Sequence, residues 1–305
     1  MLKNMKGNLI LLLTALIWGT AFVAQSDGMN YVGPYTFNAT RTILAAIVLI
    51  PVAAGFKLFE KRSGNSKPVD IKTTLIGGAL CGIVLAVASS LQQIGIVSTT
   101  AGKAGFITAL YVIIVPIIGL ILGTKQPKKI WLCVLLAIAG FYLLCIKDDF
   151  TLSAGDGFVL ACAACFALHI TVIDRFLSKG ADALLMACVQ FWAAGLVMII
   201  PMFVFETPSI EGVYNARLSI LFTGIMSSAI AYTLQIIGQR YTTPTLATLI
   251  MSLESVFAAL AGWLLLGENL SLKELFGCAL VFAAVISAQV DFKSLSRKQE
   301  AGSRK

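Results

Sequence analysis

Long apolar runs alternate with short polar segments from one end of the chain to the other, near residues 7–25, 34–56, 73–95, 101–122, 130–146, 155–174, 183–205, 218–239, 244–265 and 272–290. Each run is continuous over about 20 residues, the length an α-helix rising about 1.5 Å per residue needs to cross a hydrocarbon core of about 30 Å. Barrel strands are about half as long and alternate apolar with polar positions, a pattern absent from these runs. Inside a bilayer the backbone must satisfy its own hydrogen bonds, which a helix does within one segment. The pattern therefore predicts an all-α membrane protein with ten transmembrane helices.

Composition excludes a soluble globule. Hydrophobic residues make up 58% of the chain and charged ones 12%, with a mean hydropathy of +0.89, whereas soluble domains carry about 25% charge. Charge placement adds an orientation. With the N-terminus in the cytoplasm, Lys3, Lys6, Lys57, Lys61, Arg62, Lys125, Lys128, Lys129, Arg175, Lys179 and Arg240 fall inside, and only Lys147, Arg217 and Lys273 fall outside. Both termini are then expected in the cytoplasm. The net charge of +8 reads as a topology signal, and no nucleic-acid partner is needed to explain it. A signal peptide over the first run is rejected: Phe22-Val23-Ala24 is a poor cleavage site, and the run has a partner later in the chain. The basic stretch 291–305 reads as a disordered cytoplasmic tail.

The chain repeats itself. Leu91-Gln92-Gln93-Ile94-Gly95, Thr99-Thr100 and Ala104 return as Leu234-Gln235-Ile236-Ile237-Gly238, Thr242-Thr243 and Ala247, an offset of 238 − 95 = 143. Trp18 and Phe166 are likewise related, at 166 − 18 = 148. Residues 1–147 and 148–290 thus form two units of five spans. Five is odd, so the second unit enters the membrane inverted. The loops agree, because Lys125, Lys128 and Lys129 follow span four while Glu268 and Glu274 lie beyond span nine. Inverted repeats commonly enclose a substrate site near the midplane of the bilayer.

The set Trp18-Gly19, Arg41, Gln93, Gly95, Thr100-Ala101-Gly102-Lys103-Ala104-Gly105-Phe106 and Pro116, with Ala231, Gln235, Gln239, Pro244, Ala247, Glu254, Phe257 and Gly267-Glu268, resembles the EamA-type ten-helix transporters of the drug/metabolite transporter superfamily. The resemblance covers nearly the whole chain. It implies a secondary transporter of small organic metabolites such as amino acids, often an exporter, multi-pass in a bacterial plasma membrane with both termini cytoplasmic. Drug efflux and a structural or lipid-interacting role are the alternatives. The sequence departs from the pattern at Glu254-Ser255-Val256, where members usually carry proline after the glutamate.

Several residues within the spans are candidates for the substrate site. Glu254 lies about ten residues into span nine, where a charge costs at least about 2.5 kcal/mol. Its repeat partner is Tyr111, at 254 − 143 = 111, and the two are expected to face one another across a central cavity. Gln92, Gln93 and Gln235 close spans three and eight, as polar handles for substrate or as helix-joining amides. Trp18, Tyr232 and Trp192 supply aromatic faces, or pack. Lys103 either lines an electropositive vestibule or snorkels to the interface. Arg41 either belongs to the same vestibule, attracting a carboxylate, or caps or pairs locally, and on a span expected at the periphery it is assigned to local pairing. His169, the only histidine, suits substrate contact or a proton relay, or is simply satisfied in the core. Pro116 deletes a backbone bond in span four, and with Ala259 at the repeat position it predicts an asymmetric hinge.

Other chemistries lack their residues. A phosphate loop fails around Gly102-Lys103, where Val97 and Ala104 occupy the motif's defining positions. One glutamate and one histidine within the spans make no catalytic set, and His169 has no carboxylate one helical turn away to help hold a metal. Cys162 and Cys165 read as small packing residues. No enzyme activity, cofactor or metal is expected. The partners implied are the bilayer, a small-molecule substrate and, where a gradient drives transport, protons.

Overall fold

All regular structure is helical among the residues that the computed structural model describes, 2–63, 69–99, 101–145, 153–266 and 271–289. Helices α1 (Leu2–Gly28), α2 (Pro34–Arg62) and α3 (Ile71–Ile96) are followed by α4 (Ala101–Ala109), α5 (Tyr111–Ile121) and α6 (Lys128–Cys145). Then come α7 (Ala154–Ser178), α8 (Ala183–Phe205), the short α9 (Ile210–Asn215) and α10 (Arg217–Leu221), and a π-helical segment, Phe222–Ala231. The chain closes with α11 (Tyr232–Gln239), α12 (Pro244–Met251), α13 (Glu254–Leu266) and α14 (Leu272–Gln289). Among the described residues nine helical stretches are long and apolar enough to cross a membrane. The 18-residue α6 coincides with the remaining run of the sequence pattern but is not one of the nine. The tail 291–305 and the Gly267-Glu268 pair lie outside the described residues.

Helix starts follow from local chemistry. Asp70 caps α3, accepting from Thr73 N at 3.0 Å, and Ser153 with Asp156 closes a capping box on α7. Thr243 caps α12 ahead of Pro244, whose missing N–H is harmless in a first turn. The cap of α2 comes from elsewhere in the chain. Glu206, at the end of α8, accepts from Tyr35 N at 2.9 Å and Thr36 N at 2.8 Å, so its charge meets the positive end of that helix. At the opposite end of the same helix pair, Lys57 of α2 reaches the α8 cap Asp182 at 2.7 Å. Burial pushes the Asp182 carboxyl up, but hydrogen bonds from Lys57 and Leu185 N outweigh it and hold the group below the ordinary carboxylate range.

Packing joins the two halves of the chain throughout: α3 lies on α7 and α8, α2 on α8 and the π-helical segment, α1 on α11 and α13, and α6 on α14. Glycines allow the closest approaches. A Cβ at Gly95 would lie 2.8 Å from Gly155 O, and one at Gly155 would lie 2.6 Å from Gly95 O. At the repeat-related place between α1 and α11, a Cβ at Gly7 would lie 2.6 Å from Tyr241 Cβ and 3.2 Å from Gly238 O, at offsets of 155 − 7 = 148 and 238 − 95 = 143, while one at Gly238 would meet Leu11 instead. Gly140 and Gly277 bring α6 against α14.

The runs expected as continuous spans four, eight and nine are interrupted. Span four breaks at Leu110, between α4 and α5, and span nine at Ser252-Leu253, between α12 and α13. The breaks are one repeat apart, 253 − 110 = 143, so the expected one-sided kink is corrected: both halves carry the interruption. Pro116 stands inside α5, six residues past the first break, and removes one backbone donor there. The second break has no proline. Ser252 Oγ donates to Leu249 O and Thr248 Oγ1 to Thr245 O, both at 2.8 Å, side-chain bonds that compete with the helical ladder and bend it.

Candidate functional site

Because the two long helices break, Tyr111 and Glu254 are the first residues of half-helices α5 and α13. Their side chains meet: Tyr111 Oη donates to Glu254 Oε1 at 2.9 Å, across 143 positions of sequence. Both are buried, at 2% and 3% exposure. The Glu254 carboxyl group sits at the positive end of its own helix and accepts from a phenol, two contributions that offset part of the cost of burying an ionisable group at this depth. Gly19 makes the approach possible, since a Cβ there would stand 2.7 Å from Glu254 O. Ser255 Oγ ties α13 to α4 through Gly105 O at 2.9 Å.

Around this pair lies a cavity with about 30 Å³ of space for water, room for about two molecules at the ~10–15 Å³ each needs. Glu254, Tyr111, Gln92 and Gln235 line it together with the aromatic faces of Trp18 and Tyr232. Trp18 and Tyr232 stack in a tilted pair with centroids 4.7 Å apart, and Trp18 Nε1 donates to Ser227 O at 3.3 Å. Ser227 belongs to the π-helical segment, whose wider turn sets the angle at which Tyr232 and Gln235 enter the cavity. Gln92 Nε2 donates to Thr108 Oγ1 at 3.1 Å, while Gln235 Oε1 is buried without a hydrogen-bond partner among the described residues.

Four of the residues singled out from sequence stand elsewhere. His169 lies behind Tyr232, edge-on at 6.0 Å, with Nε2 2.8 Å from Gln190 Oε1. Gln93 is spent on the backbone of α1, donating to Gln25 O at 3.2 Å. Lys103 pairs with Asp156 at the start of α7, and Thr99 Oγ1 donates to the same carboxylate at 2.9 Å. Trp192, expected among the cavity aromatics, is 38% exposed and does not line the cavity. Cys162 and Cys165 are free thiols.

Arg41 requires the opposite correction. Assigned to a peripheral span, it lines the central cavity at 4% exposure, because α2 packs against α8 and the π-helical segment. Gln25 and Thr108 also line the cavity and were not singled out. Both were within reach of spacing arguments: Gln25 is seven residues after Trp18 on α1, and Thr108 three before Tyr111. For Arg41 the signal was its depth in an apolar span, where an ionisable side chain marks a functional site by default.

Comparison with known proteins agrees with this architecture. A protein of Archaeoglobus fulgidus named "Uncharacterized transporter" is 32% identical over 287 residues, covering 93% of this chain and 86% of its own. "Uncharacterized transporter YoaV" of Bacillus subtilis is 21% identical, covering 93% of this chain and 96% of its own. The "WAT1-related protein At3g02690, chloroplastic" of Arabidopsis thaliana is 25% identical, covering 90% and 67%. A solved crystal structure superposes with a TM-score of 0.73 at 20% identity, covering 96% of this chain and 98% of that one, a likeness of fold alone. Residues 5–146 and 153–288 each match the EamA-like transporter family. The chain is thus a multi-pass membrane transporter that belongs to the EamA-like family of the drug/metabolite transporter superfamily.

Proposed function

We propose that this protein carries small organic metabolites, amino acids among them, across the membrane by alternating access. Two five-helix halves of opposite insertion, residues 1–147 and 148–290, rock about the central cavity. One observation carries the reading: the Tyr111–Glu254 hydrogen bond joins repeat-related residues, each at the start of a half-helix, inside a cavity held nearly closed. Interrupted helices at a midplane site are the arrangement that carriers with inverted repeats use. The glycine contacts at repeat-related places, mutual between Gly95 and Gly155 and one-sided from Gly7 to Gly238 O, support the two-fold relation. Ligand sites commonly span about 300–1,000 Å³, so a cavity of about 30 Å³ must expand to admit a solute, and the paired breaks are where the helices can give.

Trp18, Tyr111, Tyr232 and Glu254 contact the solute in this reading, with Gln92 and Gln235 as its polar handles. Pro116 acts as one of two hinge elements. His169, Gln93 and Lys103 act at a distance from the solute, through the groups they hold. The termini lie in the cytoplasm and the direction is export, the latter resting on the family resemblance. The energy source is a proton gradient or the solute's own.

Purified protein reconstituted in proteoliposomes tests the reading by counterflow of labelled amino acids, nucleobases and organic acids. At least one solute class is expected to exchange, and the exchange to be lost in Glu254→Gln. Impermeant maleimide labelling of Thr124→Cys and Ser271→Cys is expected on opposite sides of the membrane. Labelling of both from the same side defeats the inverted arrangement.

A further inference from the structure

The cavity wall holds a positive charge that the pairing of Tyr111 with Glu254 does not use. Arg41 is 4% exposed, and the groups found against it among the described residues, the Asn38 amide and the Phe37 ring, are neutral. Its Nε donates to Asn38 Oδ1 at 2.9 Å, and its guanidinium stands 5.6 Å from the centre of the Phe37 ring. Asn38 is itself fixed, because its Nδ2 donates to Ser89 O of α3 at 2.9 Å. The orientation of that amide is therefore set from both ends, and it aims the guanidinium. The ion pairs recorded among the described residues, Lys57–Asp182 and Lys103–Asp156, do not include Arg41. Glu254 shares the cavity but spends Oε1 on Tyr111.

A guanidinium has five N–H donors, and Asn38 engages one of them. A position serving packing alone gains from an apolar side chain, since an unpaired charge at this depth costs at least about 2.5 kcal/mol. Two further side chains of the same wall carry unsatisfied acceptors. Gln25 Oε1 and Gln235 Oε1 are buried acceptors with no partner among the described residues, and both side chains line this cavity. A solute that meets these groups carries an oxyanion for the guanidinium and a hydrogen-bond donor for the two carbonyls.

We propose that Arg41 anchors the carboxylate of the transported solute, with Asn38 as its positioning residue and the carbonyls of Gln25 and Gln235 accepting from a donor elsewhere on the solute. The planar guanidinium fork matches a carboxylate through two parallel bonds, which a lysine at the same place cannot reproduce. This inference rests on the reading of the central cavity as the transport site, and it names the chemical class that site takes.

The test uses matched ligands on the purified full-length protein. Thermal shift is read with each standard amino acid, lactate and malate, beside the carboxamide of each. The acids are expected to raise the melting temperature and to bind about tenfold or more tightly than their amides, as for a lost charge-assisted hydrogen bond. In Arg41→Gln the distinction between acid and amide disappears, in Arg41→Lys part of it survives, and Asn38→Ala weakens acid binding less than Arg41→Gln does. Ligand-free Arg41→Gln melts at or above the wild-type temperature, because a functional charge burdens the empty fold. A variant that melts lower and still prefers acids makes Arg41 a packing residue and overturns the proposal. A wild-type protein that treats acids and amides alike, or is shifted by neither, overturns it as well. If neutral solutes nevertheless exchange through proteoliposomes and Glu254→Gln abolishes that exchange, the transport reading stands while the carboxylate anchor falls.

Discussion

The helices that break at Leu110 and at Ser252-Leu253 occupy repeat-related places, and they reach the same backbone shape by different chemistry. In the first, Pro116 withholds a donor from the ladder. In the second, where Ala259 stands at the equivalent position, Ser252 and Thr248 hydroxyls bond to preceding carbonyls. The residues that begin the second half-helices differ more sharply: Tyr111 is neutral and Glu254 ionisable, and one donates to the other. Repeat-related positions of the sequence thus carry one-sided chemistry. The cavity has the Glu254 carboxyl group on one side and the Arg41 guanidinium elsewhere on its wall, so its lining is chemically asymmetric.

Removing the charge from one side is the strongest way to break this comparison. Glu254→Gln keeps an oxygen for Tyr111 to donate to, so the fold persists while counterflow falls about 10- to 100-fold, the equivalent of about 1.5–3 kcal/mol for a hydrogen bond to a charged group. Tyr111→Phe is expected to cost about tenfold in transport and, unlike Glu254→Gln, to lower the ligand-free melting temperature, because it leaves a buried carboxylate without its donor. Equal melting temperatures for the two variants contradict the division of roles.

The breaks come next. Pro116→Ala returns one backbone donor to α5, so stability rises, by at most about 3 kcal/mol, and transport slows severalfold as that half stiffens. Ser252→Ala removes a side-chain bond of about 1 kcal/mol and shifts both quantities less. Reversal of that order, read by melting and counterflow on the same preparations, shows that the second half dominates the motion.

The smallest effect lies at the helix ends. Asp182→Asn retains a capping side chain on α8 and loses the partner of Lys57, whose side chain is 37% exposed, for a loss of about 0–1 kcal/mol. The sign with pH follows from the lowered pKa of Asp182. Its contribution is complete above the ordinary value of 3.8 and is lost only as pH falls through the lower folded value, so from pH 5 to 8 wild type and variant differ by a constant amount. A difference that changes across that range removes Asp182 from the account.

Much of the cavity was legible in the chain because a repeat relates positions by subtraction. An offset of 143 paired Tyr111 with Glu254 without any knowledge of packing, and the two proved to be hydrogen-bonded. The same arithmetic was silent on Arg41, whose place depends on which helices α2 packs against, a property of the assembled bundle. Nor did it bear on His169 and Lys103, which polarity alone singled out. Polarity within an apolar run reveals a residue that needs a partner, but here Gln190 and Asp156 answered that need before any solute could.

Sequence by itself determined the solvent in which this chain lives, the secondary structure, and the repeat, because apolar runs of about 20 residues have one stable form in hydrocarbon and a duplicated pattern is visible in one dimension. Only the tertiary structure decided where helices four and nine break, where span eight turns π-helical, and which charges share a cavity. Those outcomes depend on close approach between distant segments, as at Gly19 against Glu254, and on competition among side chains for the same few buried partners.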